Sequence, residues 1–527
     1  MIPLFTREQM RAVDRAATER YGVASIVLME NAGAHAFAHL QRHYGRLLQR
    51  VLIVGGQGQN GGDGWVVARH LHASGFTPTC LLVGREERVQ GDARVNLAAL
   101  HALGICVISL HDDIEALLEH SRRASMIVDA LFGTGLSRPL DGPYARAVNI
   151  VSQAGVPVCA LDLPSGVDAN TGQVLGAAVR ASSTVTFAGH KLGLHQYPGV
   201  AYAGIVETVA IGVPVLLEER AEPIEGGPHA GLIEESDVAA LLPVDPGDAH
   251  KGTRGHVLAI AGSRGKTGAA LLAGLGALRA GAGLVTIASD DETQRVLEQK
   301  VVELMTARFD ESDALDSLLQ LAKDKRAVLL GPGFGLTPER QKLARELAVE
   351  LELPCVIDAD ALTALAGALE LLRQARGPRI LTPHPGEAAR LLDRSILEVQ
   401  ADRCAAAREL AARSGQVVVL KGACTVIASP QGALRICRAG TPALGVAGTG
   451  DVLSGVVAAL SVRALPFSAA WAGVQIHALA GQIAAQGDRG LLASEVAAHV
   501  PVALARMRQP SLSEVAGRPT AVVVTDA

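Results

Sequence analysis

The sequence predicts an α/β protein of two domains, each a largely parallel sheet between two helical layers. Three observations carry this expectation. The chain has 527 residues, more than a single hydrophobic core accommodates. Short apolar runs of strand length recur, and each ends in glycines or oxygen-bearing side chains before a helical stretch, the alternation expected of a parallel sheet. Hydrophobic residues make up 49%, with 57 glycines and only 3% aromatics, which suits strands buried on both faces under closely packed helices.

The first element is a helix. Thr6-Arg7-Glu8-Gln9 has the capping-box spacing, and Met10, Val13, Ala16 and Ala17 follow as one apolar stripe. Arg7, Glu8, Arg11, Asp14 and Arg15 interrupt any apolar core that a signal peptide would need. His35, His39 and His43 fall at helical spacing and read as one helix face, with no nearby carboxylate to complete a metal site. Val51–Val54 is a strand, the run 55–64 a glycine-rich loop, and Trp65–Leu71 a helix, the arrangement that cradles phosphate. Asn60 and Asp63 add oxygens to that loop. Ile127 to Leu136 repeats the pattern, with Asp129 before Gly133 and Gly135. The strand Val158–Leu161 then delivers Asp162 and Ser165. Three oxygen-bearing tips on one sheet edge can meet in a cleft and suit a hard cation.

Residues 216–230 lack periodicity and carry acids, prolines and consecutive glycines, the composition of a linker. The expected domains are therefore 1–215 and 231–508, with a loose tail at 509–527 in which 521–525 has edge-strand character. In the second domain the strand Val257–Ala261 precedes Gly262 to Gly268 and a small-residue helix from Ala269 to Ala280. Gly265-Lys266-Thr267 is not a Walker A loop, because Ile260 stands where its leading glycine must be. Strands at Ala327–Leu330, Cys355–Ile357, Arg379–Leu381 and Val417–Leu420 end in Gly331-Pro332-Gly333, Asp358-Ala359-Asp360, Thr382-Pro383-His384-Pro385-Gly386-Glu387 and Lys421-Gly422-Ala423. These tips mark a ligand-binding edge. Gly445 to Gly455 packs glycines before Asp451 and an apolar helix. Such a turn aims backbone N–H groups and a helix dipole at one anionic group, with Asp451 beside it as a base. His477, in an apolar helix, reads as a core histidine. His250 and Lys251 lie before the first strand of this domain, either over the cleft or at the surface.

A net charge of −5 provides no field for nucleic acid or membrane surfaces, and no apolar run approaches the ~20 residues of a membrane helix. Seven cysteines form no Cys-x-x-Cys motif, as expected of a reduced, cytoplasmic compartment. Cys80, Cys159 and Cys355 read as buried small hydrophobes.

The motifs together carry a resemblance. The second half, with His250-Lys251-Gly252, Ala261-Gly262-Ser263, Gly331-Pro332-Gly333, Asp358 to Leu362, Thr382 to Glu387, Lys421-Gly422 and Gly448-Thr449-Gly450-Asp451, resembles the ribokinase-like NAD(P)H-hydrate dehydratases. The first, with 55–64, 127–136 and 162–168, resembles the NAD(P)H-hydrate epimerases, so a Rossmann-like domain precedes a ribokinase-like one. Their loop usually begins Gly-Asn-Asn, and here the first Asn is Gln59. The resemblance implies that Asn60, Asp129 and Ser165 bind K+. It implies that Gln59, Asn60, Gly61, Gly62, Asp63, Gly133, Thr134, Gly135, Leu136, Ser137, Arg138, Pro139, Tyr144 and Asp162 line the hydrate site, with Asp162 as acid–base group and Lys191 facing the substrate. In the second domain it implies that Gly333, His384 and Asp451 face the hydrate. It also implies that Lys421, Gly422, Ala423, Cys424, Thr425 and Gly450 contact the nucleotide, with Mg2+; the domain order resembles that of the bacterial members, which use ADP, while the sequence itself does not decide between ADP and ATP. The expected partners are the hydrate and ADP, in a homo-oligomer. The alternative is a small-molecule kinase, for sugars or vitamin precursors, whose first half is a non-catalytic nucleotide-binding module. Fold alone does not separate the two.

Overall fold

The structure, a computed structural model, describes residues 1–111, 114–213, 230–242 and 246–508. Residues 214–229, which hold nearly all of the expected linker, and the tail 509–527 lie outside the described residues. The chain divides into two compact units, one of Ile2–Gly231 and one from Leu232 onward.

The N-terminal unit is organised by seven strands that pair in parallel throughout, in the spatial order Val107–Ser109, Thr79–Leu82, Val51–Gly55, Met126–Ala130, Val158–Leu161, Ser183–Phe187 and Ile205–Val209. Both faces of the sheet are covered. Ile53 enters one apolar cluster with Trp65, Val67 and Leu71, while its neighbours Leu52 and Val54 enter another with Val148 and Val151. That alternation is the period of two of a strand buried on both sides. The strand order reverses at Val51–Gly55 and Met126–Ala130, so the loops leaving these two strands diverge and open a crevice at their carboxyl ends.

Here the structure corrects the expected loop at 55–64. The helix starts at Gln59 and runs to Ala73. Its glycines answer to close packing. A Cβ on Gly61 would lie 2.0 Å from the Gly56 carbonyl oxygen, and one on Gly62 would lie 2.6 Å from Met29 Sδ. Packing against bare backbone outweighs glycine's helix penalty of about 1 kcal/mol per residue. The N-terminal helix, Arg7–Glu19, has the expected capping box and buries Met10, Val13 and Ala17.

Among the described residues, the C-terminal unit is organised by nine strands in the order Met305–Arg308, Leu284–Ser289, His256–Ile260, Ala327–Leu330, Cys355–Ile357, Arg379–Leu381, Val417–Leu420, Thr425–Ala428 and Leu434–Cys437. The first seven pair in parallel and the last two antiparallel. This order also reverses once, at His256–Ile260 and Ala327–Leu330. The helix Thr267–Arg279 packs against the helix Thr449–Leu460 at backbone distance. A Cβ on Gly276 would lie 2.4 Å from the Val452 carbonyl oxygen, and one on Gly455 would lie 2.0 Å from that of Ala273. Both units are therefore α/β, as the composition and strand-tip pattern predict. Among the described residues no helix is long and apolar enough to cross a membrane.

Candidate active sites

The crevice of the N-terminal unit holds a cavity of ≈ 820 Å³. Its walls include Gln59, Asn60 and Asp63 from the glycine-rich helix, Gly133 to Pro139 from the loop after Met126–Ala130, Tyr144, Asp162 and Lys191. Gly61 and Gly62 are not among the lining residues; they are taken up by the packing described above.

Asp162 sits at the end of its strand in a left-handed conformation, φ 65°, which turns its side chain into the cavity. Its Oδ1 lies 2.5 Å from Lys191 Nζ, and its Oδ2 accepts a hydrogen bond of 3.0 Å from the Thr134 amide. Lys191 is almost wholly buried and also donates to Thr186 Oγ1 and the Phe187 carbonyl. It is an internal cation in a cavity wall. Burial first, then Asp162 and Asp14, push the carboxyl of Asp63 well above the usual range.

Asp129 and Ser165 lie behind this wall. Ser165 donates its hydroxyl to Asp129 Oδ1 at 2.6 Å and its amide to Oδ2 at 2.8 Å. Asp129 is fully buried, and desolvation raises it to about 6 despite these bonds. Asn60 is buried as well, and both its amide oxygen and its amide nitrogen lack a hydrogen-bond partner among the described residues. An orphaned amide oxygen, a buried carboxylate and a hydroxyl form a donor set that fits a hard cation.

Sequence reasoning missed the clamp on this loop. Arg7 donates to the carbonyls of Thr134 and Leu136, each at 2.6 Å, and pairs with Asp168 at 2.7 Å. The only signal was an arginine among the first helical residues, where an acid is more usual.

In the C-terminal unit the ammonium of Lys421 has Asp451, His384 and Gly450 near it, together with Asp358 and Glu387. Lys421 Nζ lies 2.7 Å from Asp358 Oδ1 and 3.9 Å from Glu387 Oε2. A Cβ on Gly450 would lie 3.4 Å from it. Burial works against the charge of Lys421, but Asp358 and Glu387 more than offset it and hold the ammonium above its ordinary range. Gly448, at φ 92°, caps the helix Thr449–Leu460 and places Asp451 in its first turn. Burial, then the neighbouring Asp358, raises Asp451 to about 7, against the pull of Lys421. Glu387 is also lifted to about 7, chiefly by burial. Asp360 is committed elsewhere: its Oδ2 accepts from Lys266 Nζ and from the Gly335 amide, both at 2.9 Å. This ties the Lys266 turn to the loop of Gly333, itself buried at φ 61°.

His384 caps the helix Pro385–Leu392, with Nδ1 accepting from the Gly386 amide at 2.9 Å, and its ring stays half-exposed. The ring thus caps the backbone through Nδ1, and its Nε2 lies 3.7 Å from Glu387 Oε1. Thr425 opens a strand and donates to the Gly422 carbonyl, while Cys424 is buried, its thiol pushed up to about 11. Gly422, at φ 140°, stands over the guanidinium of Arg403. His250 is exposed and caps a short helix. His477 is buried, as a core histidine should be, yet its Nε2 has no partner among the described residues.

Known proteins share this pairing of units. Residues 25–193 match the model for the YjeF-related protein N-terminus, and 257–501 that for NAD(P)H-hydrate dehydratase. The bifunctional NAD(P)H-hydrate repair enzyme Nnr of Moorella thermoacetica is 39% identical to the chain, covering 96% of it and 97% of the relative. The chain belongs to the bifunctional NAD(P)H-hydrate repair enzyme family. Its Thermofilum pendens relative is 40% identical, covering 95% of this chain and 96% of the other. The ADP/ATP-dependent NAD(P)H-hydrate dehydratase of Bacillus subtilis, co-crystallised with ATP and Mg2+, is 34% identical, with a TM-score of 0.47 over 52% of this chain and 97% of its own. Within this hydrate-repair family member, Arg7, Asp358 and Glu387 are the site neighbours that the motif reading left without a role.

Proposed function

We infer that the chain is a bifunctional enzyme that repairs hydrated nicotinamide cofactors. The N-terminal unit interconverts the R and S epimers of NAD(P)H-hydrate, and the C-terminal unit dehydrates the S epimer at the expense of ADP or ATP. The observation that carries this reading is a built site in each unit of a chain that matches its family over nearly its whole length.

In the dehydratase unit, direct loss of hydroxide is slow because hydroxide is a poor leaving group. Asp451 takes the proton of the hydrate hydroxyl as that oxygen attacks the terminal phosphoryl of the nucleotide. With ADP this forms phosphorylated hydrate and AMP. The amides of Gly448 to Gly450 and the ammonium of Lys421 stabilise charge on the phosphoryl oxygens. The ring-nitrogen lone pair then expels phosphate, the adjacent carbon releases a proton, and NAD(P)H is restored. His384 and Gly333 hold the hydrate, while Gly422 to Thr425 hold the nucleotide. Hard oxygens at Asp358 and Asp451 fit Mg2+ arriving with the nucleotide, where it would neutralise phosphate charge.

In the epimerase unit, Asp162 is the acid–base group for loss and return of the hydroxyl, and Lys191 holds its carboxylate in place. Gln59, Asn60, Asp63, Gly133 to Pro139 and Tyr144 enclose the hydrate. Asn60, Asp129 and Ser165 would hold K+, a fixed charge that orders the two loops; the orphaned Asn60 amide supports this assignment.

The test mixes protein with both NADPH-hydrate epimers, Mg2+ and either ADP or ATP, and follows reduced-nicotinamide absorbance. Full recovery supports both activities and identifies the donor. Recovery of the S fraction alone removes the epimerase. A stable phosphorylated product without recovery replaces the reading with a small-molecule kinase.

A further inference from the structure

The histidine face of the long helix Ser25–Tyr44 has a carboxylate that the sequence does not reveal. His39 and His43 lie one turn apart, with ring centroids at 4.5 Å. Across from them, the strand Ile205–Val209 presents Glu207. Its Oε2 lies 2.7 Å from His39 Nδ1 and 3.4 Å from His43 Nε2. This corrects the expectation that no acid completes the set; His35 remains exposed and outside it.

We propose that His39, His43 and Glu207 form a transition-metal site of the class filled by Zn2+, separate from both active sites. Two imidazole nitrogens and one carboxylate oxygen form a borderline donor set that Zn2+ accepts and that Mg2+ and K+ do not prefer. The supporting shell is present. His39 Nε2 is 3.2 Å from Ser183 Oγ, which also receives the Tyr44 hydroxyl at 2.9 Å, so the ring is fixed and Nδ1 faces the acid. Arg42 binds the other carboxylate oxygen, Oε1, at 2.6 Å, and leaves Oε2 directed at the two rings. His39 is buried, while the His43 side chain is 51% exposed and leaves a path from solvent. Neighbouring ligand atoms of a tetrahedral ion with bonds of about 2.1 Å lie roughly 3.4 Å apart, so against the observed 2.7 Å loading requires Glu207 and His39 to separate by about 0.7 Å. None of the three residues lines the N-terminal cavity. The ion would fasten the helix to the last strand of the sheet.

The experiment uses untagged full-length protein stripped by a chelator and titrated calorimetrically with ZnCl2, with MgCl2 and KCl as controls. Thermal unfolding and the visible spectrum of the Co2+ form are recorded in parallel. One Zn2+ per chain, a higher Tm and the d–d bands of tetrahedral Co2+ are expected. His43→Ala, at an exposed position that does not test the core, and Glu207→Gln should each lose this site. Ser183→Ala should weaken it about 10- to 100-fold. Absence of saturable Zn2+ binding, or Zn2+ binding unchanged in both ligand variants, would overturn the proposal.

Discussion

Lys421 Nζ stands 2.7 Å from Asp358 Oδ1, and the same ammonium pulls against the burial and the Asp358 charge that raise the carboxyl of Asp451, which comes to about 7. One cation thus serves two acids with different tasks. Asp358, almost wholly buried, anchors it, and Asp451, nearer the glycine turn, keeps a proton affinity close to neutrality. A general base works best in that range.

If Asp451 is the base of the dehydratase, Asp451→Asn should lower kcat by about 10²- to 10⁴-fold while nucleotide affinity changes little. The wild-type rate should rise with pH through about 7, because the base acts only when deprotonated. Lys421→Met removes the charge that favours the carboxylate, so the rising limb should move to higher pH and nucleotide KM should rise. A single-turnover pH profile of S-hydrate dehydration checks both; an unmoved limb would exclude the coupling.

Lys191 and Asp162 test the other unit. Both are nearly buried, and removing one partner leaves the other charge uncompensated, at a cost of about 3–5 kcal/mol. Lys191→Met should therefore lower the Tm of the N-terminal unit and stop epimerisation, while S-hydrate dehydration continues. In an epimer mixture the progress curve should stall when the S fraction is spent. A complete curve at the wild-type rate would remove Lys191 from the reaction.

How far the sequence discloses these sites depends on the distance between partners. Asp162, Asp358 and Asp451 each follow an apolar strand or a glycine turn and Asp129 lies in the last residues of one, and parallel-sheet topology brings strand tips to one edge, so local pattern suffices. The Lys191–Asp162 pair depends on the neighbouring strands Val158–Leu161 and Ser183–Phe187 and on the turn after the second, which no local motif encodes. Glu207 meets His39 across 168 residues, with only a period-two strand to announce it. The helix start at Gln59 escaped because glycines weigh against helix locally, and the packing that overrides them lies in Gly56, Met29 and Ala93.

Potassium binding should depend on pH in a direction set by Asp129. Its folded pKa, about 6, lies above the ordinary value, so its proton is favoured on folding at low pH and that contribution disappears as pH rises through about 6. A cation competes with this proton. KCl should therefore raise the Tm of the N-terminal unit more at pH 7.5 than at pH 5, relative to choline chloride at equal ionic strength. The difference should vanish in Asn60→Ala. Equal Tm gains from KCl at both pH values would argue against a cation at Asp129.

Gly455 gives a test of positioning without touching a reactive group. A Cβ there would lie 2.0 Å from the Ala273 carbonyl oxygen, on rigid helix backbone that no rotamer change can move. Gly455→Ala must separate the helix Thr449–Leu460 from the helix Thr267–Arg279, at about 1–3 kcal/mol of overpacking. Asp451 and the Gly448 turn ride on the first of these helices, and Lys266 stands at the start of the second. The variant should fold with a lower Tm and lose dehydratase kcat more than hydrate affinity, because catalysis depends on placing reacting atoms within fractions of an ångström. Epimerase activity should stay at the wild-type rate, which separates displacement of one helix from general unfolding. Retention of full dehydratase kcat would mean that the glycine turn holds Asp451 independently of this helix contact.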